Sequence, residues 1–194
     1  MSGAVLGVDP GIGTTGWGVV APGEAGELRL VAAGTVRPDP SAPIALRLRT
    51  VHEGLCAVLA EHRPSAVAVE EAFAGVNVRS AIRLGEARAV VLLAAAQAGL
   101  PAHEVPPALV KKAVAGHGRA GKEAVRTAVL AALRAGDEHG ALPYDAADAL
   151  ALALTVLTRL ETRGALRSDL PLGRRPGRGR RKWSSGDLER LLGG

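Results

Sequence analysis

The sequence predicts an α/β fold, a five-stranded mixed sheet flanked by helices, and three observations carry that prediction. Three strand-length apolar runs follow one another at the N-terminus with only turn residues between them. Further apolar runs then alternate with longer segments of helical spacing, in the order β-β-β-α-β-α-β-α-α. The interior is mainly Ala, Val and Leu, because 47% of the 194 residues are hydrophobic while the aromatics are only Trp17, Phe73, Tyr144 and Trp183.

Each element has a local cause. Ala4 to Val8 and Gly16 to Ala21 are apolar runs separated by Pro10-Gly11-Ile12-Gly13-Thr14-Thr15, and Leu28 to Val36 follows a Pro/Gly turn. Three such strands in succession predict an antiparallel meander. Leu46, Val51, Leu55, Val58 and Leu59 recur at helical spacing between Ala45 and His62, and Pro64 ends that helix. Ala66 to Val69 reads as a buried strand, and Asn77 to Ala98 as a long helix stopped by Gly99. Ala102 to Val105 is a short strand before Pro106-Pro107. A glycine loop from Ala115 to Gly121 then separates a short helix from one beginning near Lys122. The last helix starts at Pro143-Tyr144-Asp145 and runs to about Thr162. There is no internal repeat.

Charge narrows the partner. With 24 Lys+Arg against 19 Asp+Glu the chain carries a formal +5, and its pI near 10.1 points to nucleic acid or another polyanion. The excess is uneven: −3 over residues 1–76, +6 over 77–134, −3 over 135–164 and +5 over 165–194. Residues 1–164 therefore form a neutral folded body with a basic middle. Residues 165–194, with Arg174-Arg175-Pro176-Gly177-Arg178-Gly179-Arg180-Arg181-Lys182, read as a disordered basic tail. Such a tail is either simply solvated or adds sequence-independent attraction to phosphate. Cys56 is the single cysteine, which excludes an internal disulfide, a cysteine-based zinc site and a CxxC redox centre. A reducing, cytoplasmic setting is expected. No apolar run approaches the roughly 18 residues of a membrane span, and Asp9 interrupts the N-terminus before a signal sequence can develop.

The carboxylates carry the chemistry. Asp9 closes the first strand just before Pro10-Gly11, so it projects from the sheet end into a crevice; the plainer alternative is a turn-forming Asp. Glu70 ends the buried run Val67-Ala68-Val69, where an ionised acid is costly unless paired or metal-bound. Adjacent Glu71 points to the opposite face, so only one of the two shares the Asp9 site easily. Asp145 and Asp148 are three apart, on one helix face, with alanines between them that let the helix approach the sheet. Capping and the helix dipole explain one of these acids better than two. Together the four suit a hard cation such as Mg²⁺ or Mn²⁺. Two such ions about 3.5–4 Å apart are suited to phosphodiester hydrolysis. Lys122, a cation at a helix start, makes electrostatic sense if an anion binds nearby.

These motifs are familiar as a set. Leu6-Gly7-Val8-Asp9-Pro10-Gly11 with Thr15-Gly16-Trp17-Gly18-Val19, then Val69-Glu70 with Phe73, then Asp145-Ala146-Ala147-Asp148-Ala149-Leu150-Ala151, resemble the RuvC family of Holliday junction resolvases. Asn77 and the segment from Ser80 to Arg88 add to the likeness, which covers residues 1 to about 160. It implies an RNase H-like fold and a symmetric homodimer that cuts two strands of a four-way DNA junction with two Mg²⁺ ions per site, Mn²⁺ substituting. It places Asp9, Glu70, Asp145 and Asp148 on the family's metal-binding carboxylates. Lys111 and Lys122 fall on its basic residues near the scissile phosphate, and Phe73 on an aromatic that stacks on bases at the junction centre. The helix from Asn77 matches the dimer-forming element, and Asn77 and Arg119 are further candidate DNA contacts. The family works with the RuvA–RuvB branch-migration complex. The tail lies outside the matching pattern, and His117 in the glycine loop reads as a solvent-exposed residue rather than a phosphate ligand.

Two other classes compete. Asp9-Pro10-Gly11 with Thr14-Thr15-Gly16 also resembles the phosphate-gripping hairpin of actin-like and sugar-kinase-like proteins, but 194 residues leave no room for their second lobe. A non-catalytic junction-binding module is disfavoured by four intact acids, which would repel DNA if nothing neutralised them.

Overall fold

In a computed structural model the chain is described over residues 3–71, 78–118, 120–134 and 142–166. Strands β1 (Val5–Asp9), β2 (Thr15–Pro22) and β3 (Leu28–Val36) form the expected meander. They are followed by α1 (Ile44–His62), β4 (Ala66–Glu70), α2 (Val78–Gln97) and β5 (Ala102–Val105). Helices α3 (Pro107–Ala115), α4 (Lys122–Ala132) and α5 (Tyr144–Leu166) complete the order. The sheet runs β3-β2-β1-β4-β5. The first three strands are antiparallel, and β4 and β5 join parallel to β1. This is the five-stranded mixed sheet that the sequence predicts.

Strand parity sorts the core into two layers. Leu6, Val8, Val19, Val67 and Val69 face α1 and α2, meeting Val51, Leu55, Val58 and Val91. The alternate residues Val5, Val20, Ala66 and Ala68 face α5, with α3 and α4 beside it. On this second face the sheet is built from small residues. A Cβ on Gly7 would overlap the Ala149 carbonyl, and one on Gly16 would overlap the Asp145 carbonyl. Opposite them Ala146, Ala149 and Ala153 are fully buried. Backbone therefore lies on backbone where α5 crosses β1 and β2, a closeness that only glycine allows.

Element ends follow local chemistry. Arg63 takes the left-handed conformation (φ 44°) to end α1 just before Pro64. Pro107 opens α3, and Gly116 (φ 80°) closes it. The last helix is longer than the sequence suggests. It continues past Thr162 through Gly164 to Leu166, because one internal glycine weakens a helix by only about 1 kcal/mol. Among the described residues no helix is long and apolar enough to cross a membrane.

Candidate active site

Asp9 and Glu70 extend the small-residue face of the sheet. In β1 the parity runs Val5, Gly7, Asp9, and in β4 it runs Ala66, Ala68, Glu70. The parallel register pairs Val5 with Ala66 and Gly7 with Ala68, and its continuation sets Asp9 beside Glu70 on adjacent strands, about 4.8 Å apart. Glu71 falls on the other parity: it is exposed, and its N–H donates to the Val105 carbonyl at 2.9 Å. Glu70, and not Glu71, therefore shares the face of Asp9.

Helix α5 brings the remaining acids. Its close seat on Gly7 and Gly16 fixes the first two turns over the end of β1, and Asp145 and Asp148 lie on those turns. Asp145 sits in the first turn, where the Ala147 N–H donates to the Pro143 carbonyl. The β1–β2 connection is held from within: the buried Thr15 hydroxyl donates to the Gly11 carbonyl at 2.8 Å. From outside, Arg47 on α1 donates to the Ile12 carbonyl at 2.9 Å.

The result is a crevice of about 270 Å³ lined by Asp9, Glu70, Lys111, Lys122 and Asp148, with Val110, Val125 and Leu152 among its apolar walls. Lys111 projects from α3, and Lys122 is the first residue of α4. Asp145 is within electrostatic reach of both Asp9 and Asp148. Burial, then the charges of Asp148, Glu70 and Asp145, push the Asp9 carboxyl up to about 7 from 3.8, and Lys122 acts in the opposite direction. Glu70 is raised by burial and by Asp148, against the pull of Lys111 and Lys122. Asp148 is raised by burial and by Asp145, against Lys122 and Lys111.

Acids that resist ionisation in one another's presence are a donor set whose charge a hard cation would relieve. Among the described residues no three carboxylate, imidazole or thiol groups form a closed metal cage. The residues present fit divalent ions by donor type and by charge.

Of the nine residues singled out from the sequence, Asp9, Glu70, Asp145, Asp148, Lys111 and Lys122 converge here. Phe73, Asn77 and Arg119 lie outside the described residues, as does the tail beyond Leu166. His117 is exposed in the loop after α3. Sequence reasoning missed Arg88 of α2, whose Nε donates to the Glu70 carbonyl at 3.3 Å while its Nη2 bonds the Glu104 carboxylate. It also missed the bond from the Tyr144 hydroxyl to Glu123, 2.8 Å long. Neither contact has a sequence signal, since each joins ordinary surface residue types from different elements.

The sheet order, the sense of its strands and the helix laid over acids at the end of β1 make the chain an RNase H-like nuclease. A family model described as "Crossover junction endodeoxyribonuclease RuvC" matches residues 5–156. The crossover junction endodeoxyribonuclease RuvC of Azorhizobium caulinodans is 47% identical over 151 residues, covering 78% of this chain and 87% of that one. Its counterpart in Myxococcus xanthus is 51% identical over 150 residues, covering 77% and 78%. Among solved structures, T. thermophilus RuvC in complex with a Holliday junction substrate matches with a TM-score of 0.76 at 39% identity, covering 82% of this chain and 96% of that one. The chain belongs to the RuvC family, metal-dependent nucleases of DNA recombination and repair. Its activity is endonucleolytic resolution of Holliday junctions.

Proposed function

We propose that Asp9, Glu70, Asp145 and Asp148 are the metal-binding carboxylates of this resolvase, and that Lys111 and Lys122 face the scissile phosphate. The observation that carries this reading is the meeting of acids from β1, β4 and α5 with two lysines from α3 and α4 in one crevice. When bound, two Mg²⁺ ions per site, or Mn²⁺ in their place, supply an activated water and stabilise the departing 3′ oxygen. The carboxylates would hold that charge at the end of the sheet, and Asp9, raised by burial and by its acidic neighbours, is a group whose ionised form a bound cation would favour. Lys122, presented at a helix N-terminus, offsets the negative charge that grows on the phosphate, and Lys111 holds a non-bridging oxygen from the adjacent helix. The apolar walls of Val110, Val125 and Leu152 strengthen each of these interactions by keeping bulk water back.

Around this centre the family resemblance supports a homodimer built on the helix after Asn77, with paired nicks in two strands of four-way junction DNA. Phe73 stacks on unpaired bases, and Asn77 and Arg119 contact the DNA. The RuvA–RuvB complex delivers junctions, in the cytoplasm. The basic segment beyond Leu166 adds phosphate attraction without taking part in the chemistry. The test is Asp145→Asn assayed with a mobile four-way junction and Mg²⁺. Junction binding is retained and nicking is lost; cleavage at the parental rate would overturn the assignment.

A further inference from the structure

Lys122 and Asp145 sit on helices that pack together, and a hydrogen bond joins the residues next to them. The Tyr144 hydroxyl, in the first turn of α5, donates to Glu123 Oε2 in the first turn of α4 at 2.8 Å. Each partner is the immediate chain neighbour of a site residue: Glu123 follows Lys122, and Tyr144 precedes Asp145. One turn further along α4, the Arg126 guanidinium lies 4.9 Å from the centroid of the Tyr144 ring. Its Nε is buried with no hydrogen-bond partner among the described residues, and the Tyr144 ring face offers that group a cation–π contact. These contacts form a strap between the first turns of α4 and α5, next in the chain to Lys122 and Asp145. Tyr144 is 48% exposed, whereas Val125 and Val129 are the residues that bury α4 in the core.

We propose that the Tyr144–Glu123 hydrogen bond, backed by Arg126 on the Tyr144 ring, sets the position of Lys122 relative to the carboxylates of α5, which makes Tyr144 and Glu123 positioning residues for cleavage. This rests on the roles given above to Lys122 and Asp145. A cation at a helix start has a long, freely rotating stem, and its value to a phosphate depends on where the first turn of that helix sits. The core fixes α4 through Ala120, Val125 and Val129; the strap adds a lateral tie between its first turn and the first turn of α5.

The test compares Tyr144→Phe, Glu123→Ala, Glu123→Gln and the Tyr144→Phe/Glu123→Ala double variant. Single-turnover junction cleavage in Mg²⁺, junction affinity and melting temperature are measured for each full-length protein. Tyr144→Phe and Glu123→Ala each cleave about tenfold more slowly, with affinity and melting temperature near the parent's. Glu123→Gln keeps the parental rate, because its amide oxygen still accepts the hydroxyl. The double variant is no slower than either single, since both remove one bond. Parental cleavage by Tyr144→Phe overturns the proposal. So does a loss confined to affinity, which would make Tyr144 a DNA contact, and so does a Glu123→Gln rate as low as that of Glu123→Ala. Lys122→Met and Asp145→Asn, run beside them, separate the two levels. If those variants cleave normally the site reading fails; if they are inactive while Tyr144→Phe is normal, only the strap fails.

Discussion

The two faces of the sheet are built on different terms. Against α1 and α2 it presents Leu6, Val8, Val67 and Val69, branched side chains that interdigitate with Leu55, Val58 and Val91 in the ordinary way. Against α5 it presents Gly7, Gly16 and Gly18, and the helix answers with alanines. Interdigitated side chains repack when one is changed. A helix resting on backbone has one seat, and its side chains inherit the precision of that seat. All four site acids belong to the second face. The resolvase puts adaptable packing behind the sheet and rigid packing where charges must be placed.

The largest expected effect lies on the rigid face. Asp148→Asn slows junction cleavage by about 10³-fold or more while leaving stability equal or higher, because it removes a repulsive neighbour of Asp9 and Glu70. Single-turnover kinetics and a thermal melt report both. The two faces are then contrasted by one substitution each. Leu55→Ala empties a fully buried site behind the sheet and costs about 2–5 kcal/mol, yet the folded fraction cleaves at the parental rate. Gly7→Ala drives a methyl group into the Ala149 carbonyl and costs about 1–3 kcal/mol or more, and here the folded fraction is also slower because Asp148 shifts with its helix. Equal specific activity in the two variants would erase the distinction between the faces.

Protonation sharpens the same contrast. The folded-state value of about 7 for Asp9 lies above its ordinary 3.8, so between those limits the folded chain holds a proton that the unfolded chain has lost. Stability of the metal-free protein is therefore greatest at low pH on this account and falls as pH rises from about 4 to about 7. Glu70 and Asp148, both raised, act in the same direction. Melts in chelator at pH 5.5 and 7.5 should show the loss. Asp9→Asn should reduce that slope and melt higher than the parent at pH 7.5. The smallest effect belongs to α1, where Arg49 and Glu53 pair at 3.5 Å with both side chains about two-thirds exposed. Glu53→Ala should change stability by less than about 0.5 kcal/mol in a denaturant titration.

Much of this was legible in the chain. Short apolar runs bounded by glycine and proline give the five strands, and the acids that end two of them stand out because an ionised group on a buried strand needs a reason. The i, i+3 spacing of Asp145 and Asp148, with alanines between them, already implies close approach to the sheet. The structure adds what the alanines approach, namely Gly7 and Gly16 of β1 and β2. Lys122 announced itself by sitting at the wrong end of a helix. Lys111 had no such local signal; its place depends on how α3 lies beside α4 and α5, and only the family resemblance pointed to it. Arg88 and the Tyr144–Glu123 pair were invisible for the same reason, since they depend on helix-to-helix geometry rather than on any local pattern. Helix α5 runs four residues beyond the end near Thr162 that the sequence suggests, with Gly164 inside it.

That α5 comes last in the described fold has a consequence for how the enzyme is made. Synthesis proceeds from the N-terminus at about 5–20 residues per second, and the strands carrying Asp9 and Glu70 emerge well before the helix that must lie over them. Until then those strands expose a glycine- and alanine-rich face with no partner, and the carboxylate set is half complete. Chemistry and burial arrive with the same segment. On the proposed site, a chain that lacks α5 lacks two of its four carboxylates, so competence to cut depends on the last helix of the described fold.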